Sequence, residues 1–168
     1  MRTVSLSACL LVWAVALHAQ SGYTTEPAKA DAAKADAAKA EAAKLTWGPA
    51  PTAFPAGAKM AVVSGDPGKA EEFTVDLSLP NDYRIPPHFH PTDESVTVKK
   101  GTFLVGMGDT LDLAKTNAMK AGATGTIPAG HHHYAATKGA AVVEVTAMGP
   151  FAMTYVNAAD DPRTKAHQ

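Results

Sequence analysis

From residue 60 onward the chain alternates short apolar runs with turn residues. Residues 73–79 set Phe73, Val75, Leu77 and Leu79 on one side and Thr74, Asp76 and Ser78 on the other. That period of two predicts a strand with one buried face and one polar face. Similar runs predict strands over 60–64, 95–99, 102–106, 125–127, 134–137, 141–147 and 151–156. Turn chemistry separates them, as in Gly65-Asp66-Pro67-Gly68. A short helical pattern over 111–119 is the one helix predicted in this half. Many short strands at regular spacing predict an all-β domain, a sandwich or a barrel.

Upstream the pattern changes twice. Arg2 precedes an apolar run over residues 6–17, shorter than the roughly 20 residues a membrane helix needs. With cleavage after Leu17-His18-Ala19, residues 1–19 read as a secretory signal peptide and the mature chain starts near Gln20. Uncleaved, the same run would be an anchor. Leu6-Ser7-Ala8-Cys9 resembles a lipoprotein box, but the apolar run lies mostly after Cys9 rather than before it. Residues 20–44 then carry a five-residue Ala/Lys repeat. Asp31, Asp36 and Glu41 each stand three residues before Lys34, Lys39 and Lys44, a pairing that supports helix. No apolar stripe forms at this period, so the segment reads as a water-soluble spacer, helical or disordered, rather than a partner-binding helix. Trp47, Gly48, Pro49, Pro51 and Pro55 mark an irregular entry to the barrel, residues 45–157. Residues 158–168 read as a polar exit tail.

Composition narrows the function. The 168 residues fit one domain of ordinary size, and 46% hydrophobic residues suffice for a core. A formal charge of −1 excludes the basic stripe of a nucleic-acid binder. The single cysteine, Cys9, excludes an intrachain disulfide and a thiolate zinc cage. It leaves with the signal peptide, so the mature chain has none, which suits an oxidising compartment. Gly106-Met107-Gly108 lacks the third glycine and following helix of a dinucleotide motif, and no P-loop or Gly-x-Ser-x-Gly occurs.

The candidate chemistry is in the histidines. Of seven, five fall in two clusters, His88 and His90, then His131, His132 and His133. On a strand His88 and His90 share a face and Phe89 takes the other. Pro91 permits a bend, after which Glu94 can return to the same centre. The second cluster follows the turn Ile127-Pro128-Ala129-Gly130 and can supply a further imidazole. Imidazole with carboxylate suits one divalent transition-metal ion: Fe, Mn, Ni, Cu or Zn.

The spacing His-x-His-x3-Glu-x6-Gly is met by His88, His90, Glu94 and Gly101. The spacing Gly-x5-Pro-x-Gly-x2-His is met by Gly122, Pro128, Gly130 and His133. In this order and at this separation they resemble the two signature motifs of the cupin superfamily. The resemblance covers roughly residues 45–156. Two positions depart from the pattern: Asp82 stands where a glycine is expected, and Thr137 where an asparagine is expected. The resemblance implies a small jelly-roll β-barrel with a metal at its mouth. It implies His88, His90, Glu94 and His133 as ligands, with two coordination positions left for water, O2 or substrate. His131, which shares a face with His133 by alternation, would stand at the pocket rim or behind the ligands. A homodimer paired through the sheets is also expected of this family.

Met107, Met148, Met153, Phe103, Phe151 and Tyr155 are expected in the barrel wall or core, with a Met-lined apolar pocket as the alternative. Tyr83, Arg84 and Tyr134 flank the motifs within reach of a substrate. The leading expectation is an exported bacterial metalloenzyme, periplasmic or secreted, acting on a small organic molecule. The resemblance implies dioxygenase-like chemistry with Glu94 as catalytic base. The alternatives are a non-catalytic ligand- or metal-binding module and a zinc-binding sensor. No nucleic-acid partner and no membrane span after processing are expected.

Overall fold

Eleven strands form two antiparallel sheets in the computed structural model, which describes residues 44–165, all within the unit Glu41–Gln168. The predicted signal peptide, all but the last residue of the spacer, and the final three residues lie outside the described residues. The strands are β1 (Gly48–Pro49), β2 (Lys59–Ser64), β3 (Glu72–Leu79), β4 (Arg84–Phe89), β5 (Glu94–Lys100) and β6 (Thr102–Met107). They continue as β7 (Asn117–Lys120), β8 (Thr124–Ile127), β9 (His133–Thr137), β10 (Ala141–Met148) and β11 (Thr154–Tyr155). One sheet runs β1-β2-β3-β10-β5-β8 and the other β11-β4-β9-β6-β7. Consecutive strands pass repeatedly from one sheet to the other, as in a jelly roll.

Alternation explains which side chains meet between the sheets. Val75 of β3 stands opposite Val145 of β10, and Leu77 opposite Val143. These join Phe73, Leu79, Val96 and Val98 on the inner face of the six-stranded sheet. Ile85, Phe103, Ala135 and Tyr155 meet them from the five-stranded sheet. Burying each large apolar side chain stabilises the fold by about 1.5–3 kcal/mol. At Gly106 of β6 an added Cβ would lie 2.1 Å from the Tyr134 ring. Glycine there lets Tyr134 lie flat on its neighbouring strand.

Several expectations change. Residues 111–119 are not a helix: a 3₁₀ turn at Leu113–Lys115 is followed directly by β7. Asp112 accepts from Ala114 N at 3.0 Å and Thr116 Oγ1 donates to Leu113 O at 2.9 Å, which closes the turn at both ends. The chain is extended at Thr116, and β7 pairs with β6. The strand expected over 151–156 is only Thr154–Tyr155, because Phe151 N bonds Pro67 O instead of a ladder partner. Asp76, expected on the polar face, is buried between β2 and β10, where Lys99 pairs with it. Met107 and Met148, expected in the wall or core, are 53% and 48% exposed, whereas Phe103, Met153 and Tyr155 are buried. The expected exit tail includes α1 (Pro162–Lys165), tied down by Arg163 Nη2, which donates to Met153 O at 3.0 Å. Among the described residues no helix is long and apolar enough to cross a membrane.

Candidate metal centre

Pro86 and Pro87 determine how β4 presents His88. Neither has a backbone N–H, so neither can extend a regular ladder. The pairing with β9 shifts between Ile85↔Ala135 and His88↔His133, three steps on one strand against two on the other. Without this bulge Ile85 and His88 would point to opposite faces; with it both are buried. The freed Pro86 carbonyl accepts from His88 Nδ1 at 2.7 Å.

Four predicted residues then converge from four places in the chain. His88 and His133 are direct neighbours on β4 and β9, with ring centroids 4.2 Å apart. His90 lies just past the end of β4, where the chain crosses to the other sheet. Glu94 opens β5 on that sheet, opposite Ile127 and Ala147. One ring nitrogen from each of His88, His90 and His133 lies within 4.8 Å of the others, and all three residues are buried. The Glu94 carboxylate approaches two of them, 3.8 Å from His90 Nε2 and 3.5 Å from His133 Nε2. His131 and His132 are not in this group. His131 is exposed; His132 pairs with Asp109 at 2.6 Å and stacks on Phe89.

The hydrogen bonds orient all three rings alike. Nδ1 of His88, His90 and His133 meets the carbonyls of Pro86, Ala152 and His131 at 2.7, 2.7 and 3.0 Å. A carbonyl only accepts, so each Nδ1 carries a hydrogen, and in the neutral ring each Nε2 is the nitrogen left with a lone pair. His90 Nε2 is buried with no hydrogen-bond partner. Burial first, and then the neighbouring His133 and His90, push His88 down to about 3, which keeps it neutral. Burial pushes the Glu94 carboxyl up, but His133, His90 and His88 together carry it below its ordinary value, so it stays ionised. Three imidazole lone pairs and a carboxylate facing one another form a donor set that a divalent cation fits. The two clusters are also tied by backbone: Gly130 N donates to His90 O at 2.8 Å, and Ala129 N to Asp93 Oδ1 at 2.8 Å.

The two departures from the cupin pattern have structural readings. Asp82 has φ 55°, the left-handed backbone a glycine would supply. Aspartate adopts it more readily than most residues. Thr137 is buried, accepts from Tyr83 N at 3.0 Å and donates to Pro80 O at 2.6 Å. Of the flanking residues, Tyr83 bonds the Pro55 carbonyl and Tyr134 the Asp112 carbonyl, while Arg84 is exposed. Sequence reasoning missed Phe54 and the placement of Phe151 beside the histidines. These rings stack at 5.8 Å, and Phe151 also packs 5.6 Å from His90. Phe54 had no motif to mark it; its position after a proline-rich entry was the only signal. A cleft of about 280 Å3 opens beside this pair, with Glu94 among the residues of its wall.

Fold and site together define a two-sheet β-barrel with an imidazole-carboxylate cluster between its sheets. The chain is similar to a protein from Methylibium petroleiphilum PM1 provisionally named an acetylacetone dioxygenase, at TM-score 0.56 and 19% identity, over 72% of this chain and 81% of that one. It is also similar to the polyketide cyclase RemF from Streptomyces resistomycificus, at TM-score 0.53 and 19% identity, over 66% and 79%. An RmlC-like cupin from Shewanella frigidimarina NCIMB 400 matches at TM-score 0.47 and 18% identity, over 56% and 80%. No protein-family model matches the chain, and no curated protein matches its sequence. The fold is the cupin jelly roll.

Proposed function

We propose that the protein is an exported, metal-dependent cupin enzyme acting on a small organic molecule in dioxygenase-like chemistry. His88, His90, His133 and Glu94 would hold one divalent transition-metal ion. The observation that supports this most is the common orientation of the three rings, each Nδ1 fixed by a carbonyl and each Nε2 left as a donor. A bound ion supplies Lewis-acid charge and, for Fe, Mn, Ni or Cu, access to redox chemistry. Glu94 lies both beside the histidine cluster and in the wall of the cleft, which supports a role for it in taking a proton from a bound substrate. Phe151 packs 5.6 Å from the His90 ring and Phe54 stacks on Phe151, so the cluster has an aromatic flank. The name of the Methylibium neighbour accords with this reaction class. The fold also carries a polyketide cyclase, so the reaction rests on the site rather than the fold.

The test is metal analysis of the full chain, expressed from its own first residue without an affinity tag or chelator. About one ion per chain is expected, lost in His90→Ala. Oxygen consumption is then followed with phenolic and thiol substrates. Glu94→Gln should lower turnover at least about 100-fold. A protein that takes up no metal on titration would overturn the metal reading. Full turnover and full metal in Glu94→Gln would remove its role as base. Export predicts a product outside the cytoplasm whose mass starts near Gln20.

A further inference from the structure

We infer that the substrate is a single-tailed amphiphile, its polar head at the histidine cluster and its apolar tail in the cleft, and that Met60 sets the length of tail accepted. This names the substrate class of the proposed enzyme and so rests on that reading. Among the residues lining the cleft, Glu94 alone carries a polar side chain. Elsewhere along the wall a polar head would lose its water with no side chain to replace it. Glu94 is also the wall residue that reaches the cluster, 3.8 Å from His90 Nε2 and 3.5 Å from His133 Nε2. The head that suits this end is an oxygen donor to the proposed ion.

The register of the sheet gives the cleft its length. Phe73, Val75 and Leu77 are successive inward positions of β3, and all three line it. Four residue steps along a strand are about 13 Å. Phe73 stands opposite Ala147, which stands opposite Glu94. Leu77, at the other end, stands opposite Met60. Glu94 and Met60 therefore mark opposite corners of the lining, and Met60 is half-buried on β2, one strand from the edge of the sheet. A volume of about 280 Å3 drawn out over that length is a slot rather than a chamber. At water's share of ~30 Å3 it has room for on the order of ten methylene-sized groups. The end near Glu94 is aromatic, where Phe73 meets Phe151 edge-on at 6.3 Å. The far end is aliphatic, and the unbranched Met60 side chain adapts to the tail it closes on.

Straight-chain hydroxamates share one metal-binding head and differ only in tail length, so they test this directly. They are titrated calorimetrically into the full chain, as purified, below the concentration at which the probes aggregate. Affinity should rise about fourfold per added methylene from acetohydroxamate upward. The rise should stop at a tail of about ten carbons. Chelation of the protein should weaken every member of the series and leave the gain per methylene in place. Met60→Trp should move the plateau to a shorter tail and Met60→Ala to a longer one, with acetohydroxamate unchanged in both. Affinity independent of tail length in the unaltered protein would overturn the inference. So would an unmoved plateau in either variant, once thermal unfolding shows that variant to be folded. If the gain and its shift appear in a protein that takes up no metal, the slot stands and the proposed metal enzyme falls. If one metal per chain binds acetohydroxamate and longer tails add nothing, the metal centre stands and the slot falls.

Discussion

The backbone N–H of Gly130 donates to the carbonyl of His90 across 2.8 Å, joining the turn before one histidine cluster to the last residue of the other. His88, His90 and His133 come from chain segments more than forty residues apart at the extremes, so their relative placement depends on such ties. Gly130 has φ 71°, which disfavours any residue with a Cβ, although nothing lies within 4 Å of an added Cβ. The effect of substitution is therefore backbone strain rather than collision. Gly130→Val should cost about 1–2 kcal/mol of stability. It should also weaken metal affinity about 10-fold or more, as loss of an outer support does. Thermal unfolding and competitive metal titration read the two effects separately. Lower stability with unchanged affinity would show that the tie does not position His90.

Thr137 offers a cleaner contrast, because valine has nearly its shape. The threonine hydroxyl accepts from Tyr83 N and donates to Pro80 O, holding β9 to the turn that contains Asp82. Thr137→Val leaves the buried Tyr83 N–H and the part-buried Pro80 carbonyl without this partner and should cost about 1–3 kcal/mol. Thr137→Ser retains the hydroxyl and should recover most of that loss. Denaturant midpoints for the two variants check this; equal loss in both would assign the effect to packing of the methyl group instead.

Much of this was legible in the sequence because two signals there are physical. Period-two alternation marks β3 and β10, whose buried positions are, Asp76 aside, those the pattern selects. Motif spacing marks His88, His90, Glu94 and His133, which the fold brings to one place. Other features had no local signal. Residues 111–119 look helical by propensity, yet a 3₁₀ turn and pairing with β6 take them over, a tertiary effect. Asp76 reads as a solvent-facing residue in an alternating strand; its burial depends on Lys99, twenty-three residues away. The role of Phe151 depends on Phe54 and His90, which no spacing connects to it.

His88 makes the metal-free protein sensitive to acid. Its folded-state value, about 3, lies below the ordinary 6.5 because burial and the adjacent imidazoles disfavour the charged ring. Between those values the unfolded chain binds a proton that the folded chain refuses, so stability falls as pH falls through that window. The slope from this group alone approaches about 1.4 kcal/mol per pH unit. Glu94, whose value is lowered, loses stability on acidification in the same sense. Chelated protein should therefore show a steep decline in denaturant midpoint from about pH 6.5 downward, and His88→Gln a shallower one. Equal slopes in the two proteins would mean that His88 is not held neutral in the folded state.

The Asp76–Lys99 pair predicts a pH effect of opposite sign. Lys99 Nζ lies 3.3 Å from Asp76 and 2.9 Å from Glu144, bridging two carboxylates. Burial raises the Asp76 carboxyl above its usual value even though Lys99 pulls it down. Between the usual and the raised value the folded chain holds the proton more tightly than the unfolded chain. Stability from this group therefore falls as pH rises through that window. Lys99→Met removes the downward pull and widens the window. Because Lys99 is partly exposed, its loss should cost only about 1–2 kcal/mol at neutral pH, not the larger cost of breaking a fully buried pair. That loss should shrink on acidification, as Asp76 takes up a proton and no longer needs a cation. Urea midpoints of the unaltered protein and the variant at about pH 4.5 and pH 7.5 measure it. A loss that stays constant between them would assign the contribution of Lys99 to packing of its stem rather than to charge.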